Sequence, residues 1–175
     1  MKIFRLAIAA FGFALVVIVL DQLTKAWLLS AIDVAHMDQI PSGYLIHTVI
    51  EPIFRISFVR NDGVSFGLFG GGSARWGLTV FSLIISCVLG WWALKADRRL
   101  LITAIGFVMG GALGNVIDRI RFGYVVDFLD FSGTGIFPWV FNIADAAISI
   151  GVVLLILDSF LSERREAVGA APEKS

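Results

Sequence analysis

At 175 residues, 58% of them hydrophobic, and with a mean hydropathy of +0.87, the chain carries more apolar surface than a soluble domain of this length can bury, which makes a bilayer its solvent. Its 14 basic and 14 acidic residues cancel, which argues against nucleic acid as a partner. Cys87 is the only cysteine, so an intrachain disulfide is excluded and the redox compartment is left unread.

A helix crosses the hydrocarbon with ~20 apolar residues, and uninterrupted runs at 3–20, 76–94, 100–117 and 140–161 predict four spans. Their continuity indicates helices, because barrel strands would alternate apolar and polar positions. The first run follows Lys2 and Arg5 as a secretory signal would. It reaches Asp21-Gln22 without a small-residue cleavage pattern, and so reads as an uncleaved anchor. Asp21 and Lys25 then stand one helical turn apart, close enough to pair, and Trp27 suits the headgroup level.

Residues 40–72 form the main outer segment. Phe54-Arg55-Ile56-Ser57-Phe58 alternates strictly, which puts Phe54, Ile56 and Phe58 on one strand face that can rest on lipid. Asn61-Asp62-Gly63 supplies turn chemistry, 64–69 reads as a returning strand, and Gly70-Gly71-Gly72 as a linker. In the second span Cys87 packs, and Ile84-Ile85-Ser86-Cys87 matches a lipidation box only by chance, since it lies mid-chain.

The third span carries Gly106, Gly110 and Gly114 four residues apart, a bare stripe that admits another helix or a substrate segment. Asn115 and Asp118 extend that stripe at the polar end. In the fourth span Asn142, Asp145 and Ser149 recur at helical spacing, and if the two helices are neighbours their polar ends meet at the outer boundary. Asp127 falls in the connection, while Asp158 belongs to the opposite end, near Glu163 and Arg164, as a structural acid. Residues 1–165 read as one integral-membrane domain and 166–175 as a disordered tail. Lys2, Arg5, Lys95, Arg98, Arg99, Arg164 and Arg165 all flank one side of such a bundle, which puts both termini in the cytoplasm. Lys25, Arg55, Arg60, Arg75, Arg119 and Arg121 lie on the other side.

Carboxylates at membrane segments are costly, so they face a protein interior or a watery cavity and usually carry a function. Metal hydrolysis fits poorly, because His36 and His47, the only histidines, lie in the outer segment and form no metal-binding pattern. A serine nucleophile would have only Lys25 as a base, beside Ser57 or Ser65. Two facing aspartates need less: they share a proton, one taking a proton from attacking water and the other donating to the carbonyl oxygen. Asn115, Asn142 and Arg119 can orient them. The plainer alternatives are an Asp118–Arg119 ion pair and an Asp145 that merely sits at a helix N-terminus. An acid-lined ion or proton channel or transporter, and a non-catalytic assembly factor, are the rival classes.

The ordered set Asp21-x-x-x-Lys25, Asn61-x-Gly63-x-x-Phe66, Gly114-Asn115-x-x-Asp118-Arg119, Gly123-Tyr124-Val125-Val126-Asp127-Phe128 and Phe141-Asn142-x-Ala144-Asp145 resembles the signal peptidase II family, the bacterial aspartic membrane proteases of lipoproteins. The resemblance spans nearly the whole chain. It implies a mainly α, polytopic fold with four transmembrane helices and a small periplasmic β-sheet, or cradle, at the membrane surface. It also implies a location in the bacterial inner membrane, with the active site near the periplasmic face. Asp127 and Asp145 match the catalytic dyad. Asn61, Gly63, Asn115, Asp118, Arg119 and Asn142 match supporting positions, and Asp21 and Lys25 match positions that hold the outer part together. Asp130, near Asp127, is then the structural acid. The reaction implied is hydrolysis before the diacylglyceryl-modified cysteine of a prolipoprotein, with membrane lipid and globomycin-type inhibitors as further ligands and no metal or organic cofactor. Gly106, Gly110 and Gly114 would line the substrate groove, and the outer sheet would cover it. Ser65, Asp62 and the triple glycine depart from the family pattern around the turn.

Overall fold

The computed structural model describes residues 2–32, 37, 39–63 and 73–169. His36, Phe66, the strand expected at 64–69, the glycines 70–72 and the tail from 170 lie outside the described residues. Four helices, α1 (Lys2–Ser30), α2 (Ser73–Ala93), α3 (Arg99–Arg121) and α4 (Ile143–Gly169), are long and apolar enough to cross a membrane. A four-stranded antiparallel sheet, β1 (Tyr44–Ile50), β2 (Phe54–Asn61), β3 (Val125–Asp130) and β4 (Val140–Phe141), lies at one end of them in that spatial order.

α3 is the central helix. Its Ile102, Ile105, Val108 and Met109 meet Ala10 and Ala14 of α1 and Leu89 and Ala93 of α2 in one core. Glycine makes these approaches close. A Cβ on Gly106 would lie 2.8 Å from the Ala10 carbonyl oxygen, one on Gly110 2.7 Å from that of Ala14, and one on Gly114 2.8 Å from Asp21 Oδ2. The bare stripe therefore seats α1, and the expectation that it lines a substrate groove is corrected: the room it provides is already filled by a helix. On another face, Gly111 of α3 and Gly151 of α4 bring those two helices into backbone contact with Ala144 and Ala104.

α1 is longer than the span read from hydropathy. At about 1.5 Å per residue it outruns the hydrocarbon, and its last turns carry Asp21, Lys25, Leu28 and Leu29 up to the sheet. Leu28, Leu29 and Met37 form a second core with Ile56, Phe58, Tyr124, Val126 and Phe128. The Phe54–Phe58 face thus packs on protein, with Phe58 fully buried, where lipid was expected. A register shift between Ile56 and Val59 breaks the alternation, so Ser57 is buried as well. At the other end of the chain, α4 runs on to Gly169, so the first residues of the expected tail are helical.

β1 and β2 form a hairpin of consecutive antiparallel strands, and the other edge of β2 is taken by a strand distant in sequence, β3, which follows α3 after three residues. Phe122 caps α3 through its N–H to the Asp118 carbonyl (2.7 Å), and Gly123, at φ +93°, takes the left-handed turn that a side chain would resist. Asp127 therefore sits on an interior strand.

Candidate active site

Asp127 and Asp145 come from different elements, and one side chain bridges them. Asp127 is in β3 and buried; Asp145 is in the first turn of α4 and half-buried. Asn142, wholly buried at the N-cap of α4, donates its amide N–H to Asp127 Oδ1 (2.7 Å) and lies within reach of Asn115 Oδ1 (3.2 Å) and the Val126 carbonyl (3.3 Å). Its amide oxygen accepts the Asp145 N–H (2.9 Å), and its own backbone N–H points to Asp145 Oδ2 (3.3 Å). This is a reciprocal capping box in which amide and carboxylate satisfy each other's orphan donors. Asp145 thus stands in the first turn of α4 and is linked to Asp127 through Asn142.

Each acid has one further amide. Asn61, which pairs with Val125 in the neighbouring strand, donates to Asp127 Oδ2 (2.8 Å). Its oxygen accepts the Gly63 N–H (2.8 Å) in a turn where Gly63 has φ +81°. Asn115 of α3 donates to Asp145 Oδ1 (2.8 Å).

Beneath this frame lies a buried charge cluster. Lys25 Nζ meets Asp21 Oδ2 (2.8 Å) and Asp118 Oδ2 (2.7 Å), and comes within 3.4 Å of Asn115 Oδ1. Both carboxylates also hold backbone: Asp21 accepts the Ala144 N–H (3.0 Å), one residue before Asp145, and Asp118 the Val126 N–H (3.0 Å), one residue before Asp127. Gln22, which the sequence reading passed over, donates towards Asp21 (3.1 Å) and Asp118 (2.9 Å). Its adjacency to Asp21 on a buried helix face was the available signal. The alternative of an Asp118–Arg119 ion pair is not realised, since Asp118 pairs with Lys25. Arg119 lies beside Gly63, within electrostatic range of Asp145, Asp118 and Asp127.

Burial pushes the Asp127 carboxyl up to about 7, and the Asp145 charge adds to this against the pull of the Asn61 and Asn142 hydrogen bonds and the Lys25 charge. Asp130, three residues on and so on the other face of β3, behaves oppositely. Burial raises its carboxyl, but Ser132 (2.6 Å), Ser57 (2.7 Å) and Arg55 (3.0 Å) outweigh that and hold it below the ordinary value. Asp158 pairs with Arg98 (2.8 Å) at the far end of the bundle. Ser149 is exposed and takes no part in the site.

Asp127 opens onto a cavity of about 380 Å³ that is lined by Asn61, Gly63, Pro138, Trp139 and Val140 among others. A near-neutral acid facing solvent space, with a second carboxylate held against it, has the parts for general acid–base chemistry.

Known proteins resemble the chain along most of its length. The sequence model of the family described as signal peptidase (SPase) II matches residues 13–161. A lipoprotein signal peptidase of Caulobacter vibrioides is 45% identical over 90% of this chain and 89% of its own, and one of Beijerinckia indica 44% identical over 91% of each. A solved bacterial membrane enzyme superposes with a TM-score of 0.71 at 29% identity, covering 95% of this chain and 93% of the other.

Proposed function

The chain belongs to the signal peptidase II family, and from that membership we propose that it hydrolyses the peptide bond before the diacylglyceryl-modified cysteine of a prolipoprotein, with Asp127 and Asp145 as acid and base. As a lipoprotein signal peptidase it is a protease of the bacterial inner membrane. None of the relatives named above is a channel, and the acid-lined conduction reading has no support.

One observation carries the mechanism: the buried Asn142 is bonded to both carboxylic acids at once. Water held between the two carboxyl groups attacks the amide carbon and loses its proton to Asp145, whose oxygens face the N–H groups of Asn115 and Asn142 at the positive end of α4. Asp127, with its carboxyl at about 7, keeps a proton near neutrality and gives it to the carbonyl oxygen. The proton taken by Asp145 then passes to the leaving amine. Asn61, Asn115 and Asn142 orient the acids, Gly63 lets the Asn61 turn form, and Arg119 supplies positive charge near the developing oxyanion. Asp21, Lys25 and Asp118 act through the backbone of Ala144 and Val126 as positioning residues.

Lys95, Arg98, Arg99, Arg164 and Arg165 support cytoplasmic termini and a periplasmic site. The cavity beside Asp127 would also take globomycin-type inhibitors.

The test is cleavage of a lipidated prolipoprotein by the purified protein, read as product size, with the unlipidated precursor alongside. Asp127→Asn and Asp145→Asn should each cost ~10³-fold or more, because the two groups act as a unit. Normal cleavage by either variant overturns the dyad, and equal cleavage of the unlipidated precursor overturns the substrate class.

A further inference from the structure

At the membrane face opposite Asp127, α2 ends at Ala93, α3 begins at Arg99, and the late turns of α4 pass beside them. A cavity of about 530 Å³ lies there, lined by Asp97, Arg98, Arg99, Asp158, Ser162 and Arg165. This is the size of a small-ligand site. Its charges are unequal in kind. Arg98 and the buried Asp158 neutralise each other at 2.8 Å and form a fixed wall. Arg99 and Arg165 are exposed, and among the described residues neither is paired with a carboxylate; Asp97 is exposed too. α3 opens with Arg98 at its N-cap, no side-chain cap and no acid in its first turn, so its leading N–H groups add positive potential.

Depth identifies the ligand's surroundings. The apolar spans of α3 and α4 end at Arg99 and Arg165. Nearby on α2, Trp91 and Trp92 are exposed, and Lys95 Nζ lies 3.9 Å from the Trp91 ring centre. Exposed tryptophan and lysine mark the headgroup level. A basic recess between helices at that level matches the headgroup of an anionic lipid. We propose that this cavity binds a phosphate anion, carried by an anionic phospholipid headgroup and held by Arg99, Arg165 and the N-terminus of α3.

The full-length protein in detergent, exposed to phosphatidylglycerol or phosphatidylcholine and weighed by native mass spectrometry, tests this. One retained phosphatidylglycerol per chain is expected, with phosphatidylcholine held much more weakly. The double variant Arg99→Gln/Arg165→Gln should lower phosphatidylglycerol retention by about tenfold or more. Arg165→Gln alone, on an exposed turn, should lower it by less and serves if the double variant does not fold by circular dichroism. Arg164→Gln removes the same charge outside the cavity and should change nothing. Displacement of the lipid by millimolar inorganic phosphate would uphold the phosphate chemistry and assign the source to the free anion. Equal retention of both lipids, retention unaffected by the cavity variants, or an equal loss with Arg164→Gln would overturn the site.

Discussion

Asp21, in the sheet-side turns of α1, accepts the backbone N–H of Ala144 in the first turn of α4 at 3.0 Å, across 123 positions of sequence. The carboxylate that pairs Lys25 thus also holds the residue before Asp145. Charge cluster and dyad form one connected structure.

Removing one partner of this cluster should therefore cost both stability and rate. Lys25→Met leaves two buried carboxylates without their cation, a loss of about 3 to 5 kcal/mol. Asp21→Asn keeps an oxygen for the Ala144 N–H and should cost less. A double-mutant cycle on thermal unfolding in detergent should give a coupling of about 1 kcal/mol or more; simple additivity would contradict the shared cluster.

Asn142→Ala deletes the helix cap and both side-chain ties. The cap alone is worth about 1 kcal/mol, whereas loss of carboxylate alignment should lower kcat about 100-fold with little change in KM. Steady-state kinetics on a lipidated precursor separates the two, and a change confined to KM would assign Asn142 to substrate binding.

With its carboxyl at about 7, against an ordinary 3.8, Asp127 keeps a proton in the folded chain that the unfolded chain has already released between those values. Its contribution to stability therefore falls as pH rises through that window and levels off above it. Asp127→Asn should remove this decline from denaturation measured at intervals from pH 4 to 8. Cleavage should also fall by about tenfold per pH unit on the alkaline side of the apparent value for the coupled pair.

Asp130 tests the assignment from the other direction. Its lowered carboxyl contributes stability above the ordinary value that is lost as pH falls below it. Asp130→Asn should lower the melting temperature yet leave kcat within a few-fold of wild type. A collapse of kcat in a folded Asp130→Asn protein would move the acid role along β3.

Gly110→Ala puts a methyl group 2.7 Å from the Ala14 oxygen and should destabilise by about 1 to 3 kcal/mol. Gly12→Ala, with nothing within 4 Å of its Cβ, is the matched control and should be neutral or slightly stabilising. Equal melting temperatures for the two would contradict the seating of α1 on the stripe.

The four spans were legible because ~20-residue apolar runs have one economical outcome in a bilayer. β3 was not. Val125 to Phe128 are all buried, so the strand lacks the alternation that reveals a half-buried one. The turn at Asn61 to Gly63 also suggested a nearer partner than the one 66 residues away that Asn61 meets. The glycine stripe could be placed, but not its occupant, because close approach looks the same in sequence for any helix. Asp127 and Asp130 were separable by motif alone; what distinguishes them physically arrives across the sheet, through Ser57 and Arg55 on one side and Asn61 on the other.

Asp127 rides on the sheet and Asp145 on the helical bundle, and Asn142 is the clasp between them. With Asp127 and Asp145 as the proposed acid and base, a compound that wedges these two bodies apart is expected to stop cleavage without touching either acid.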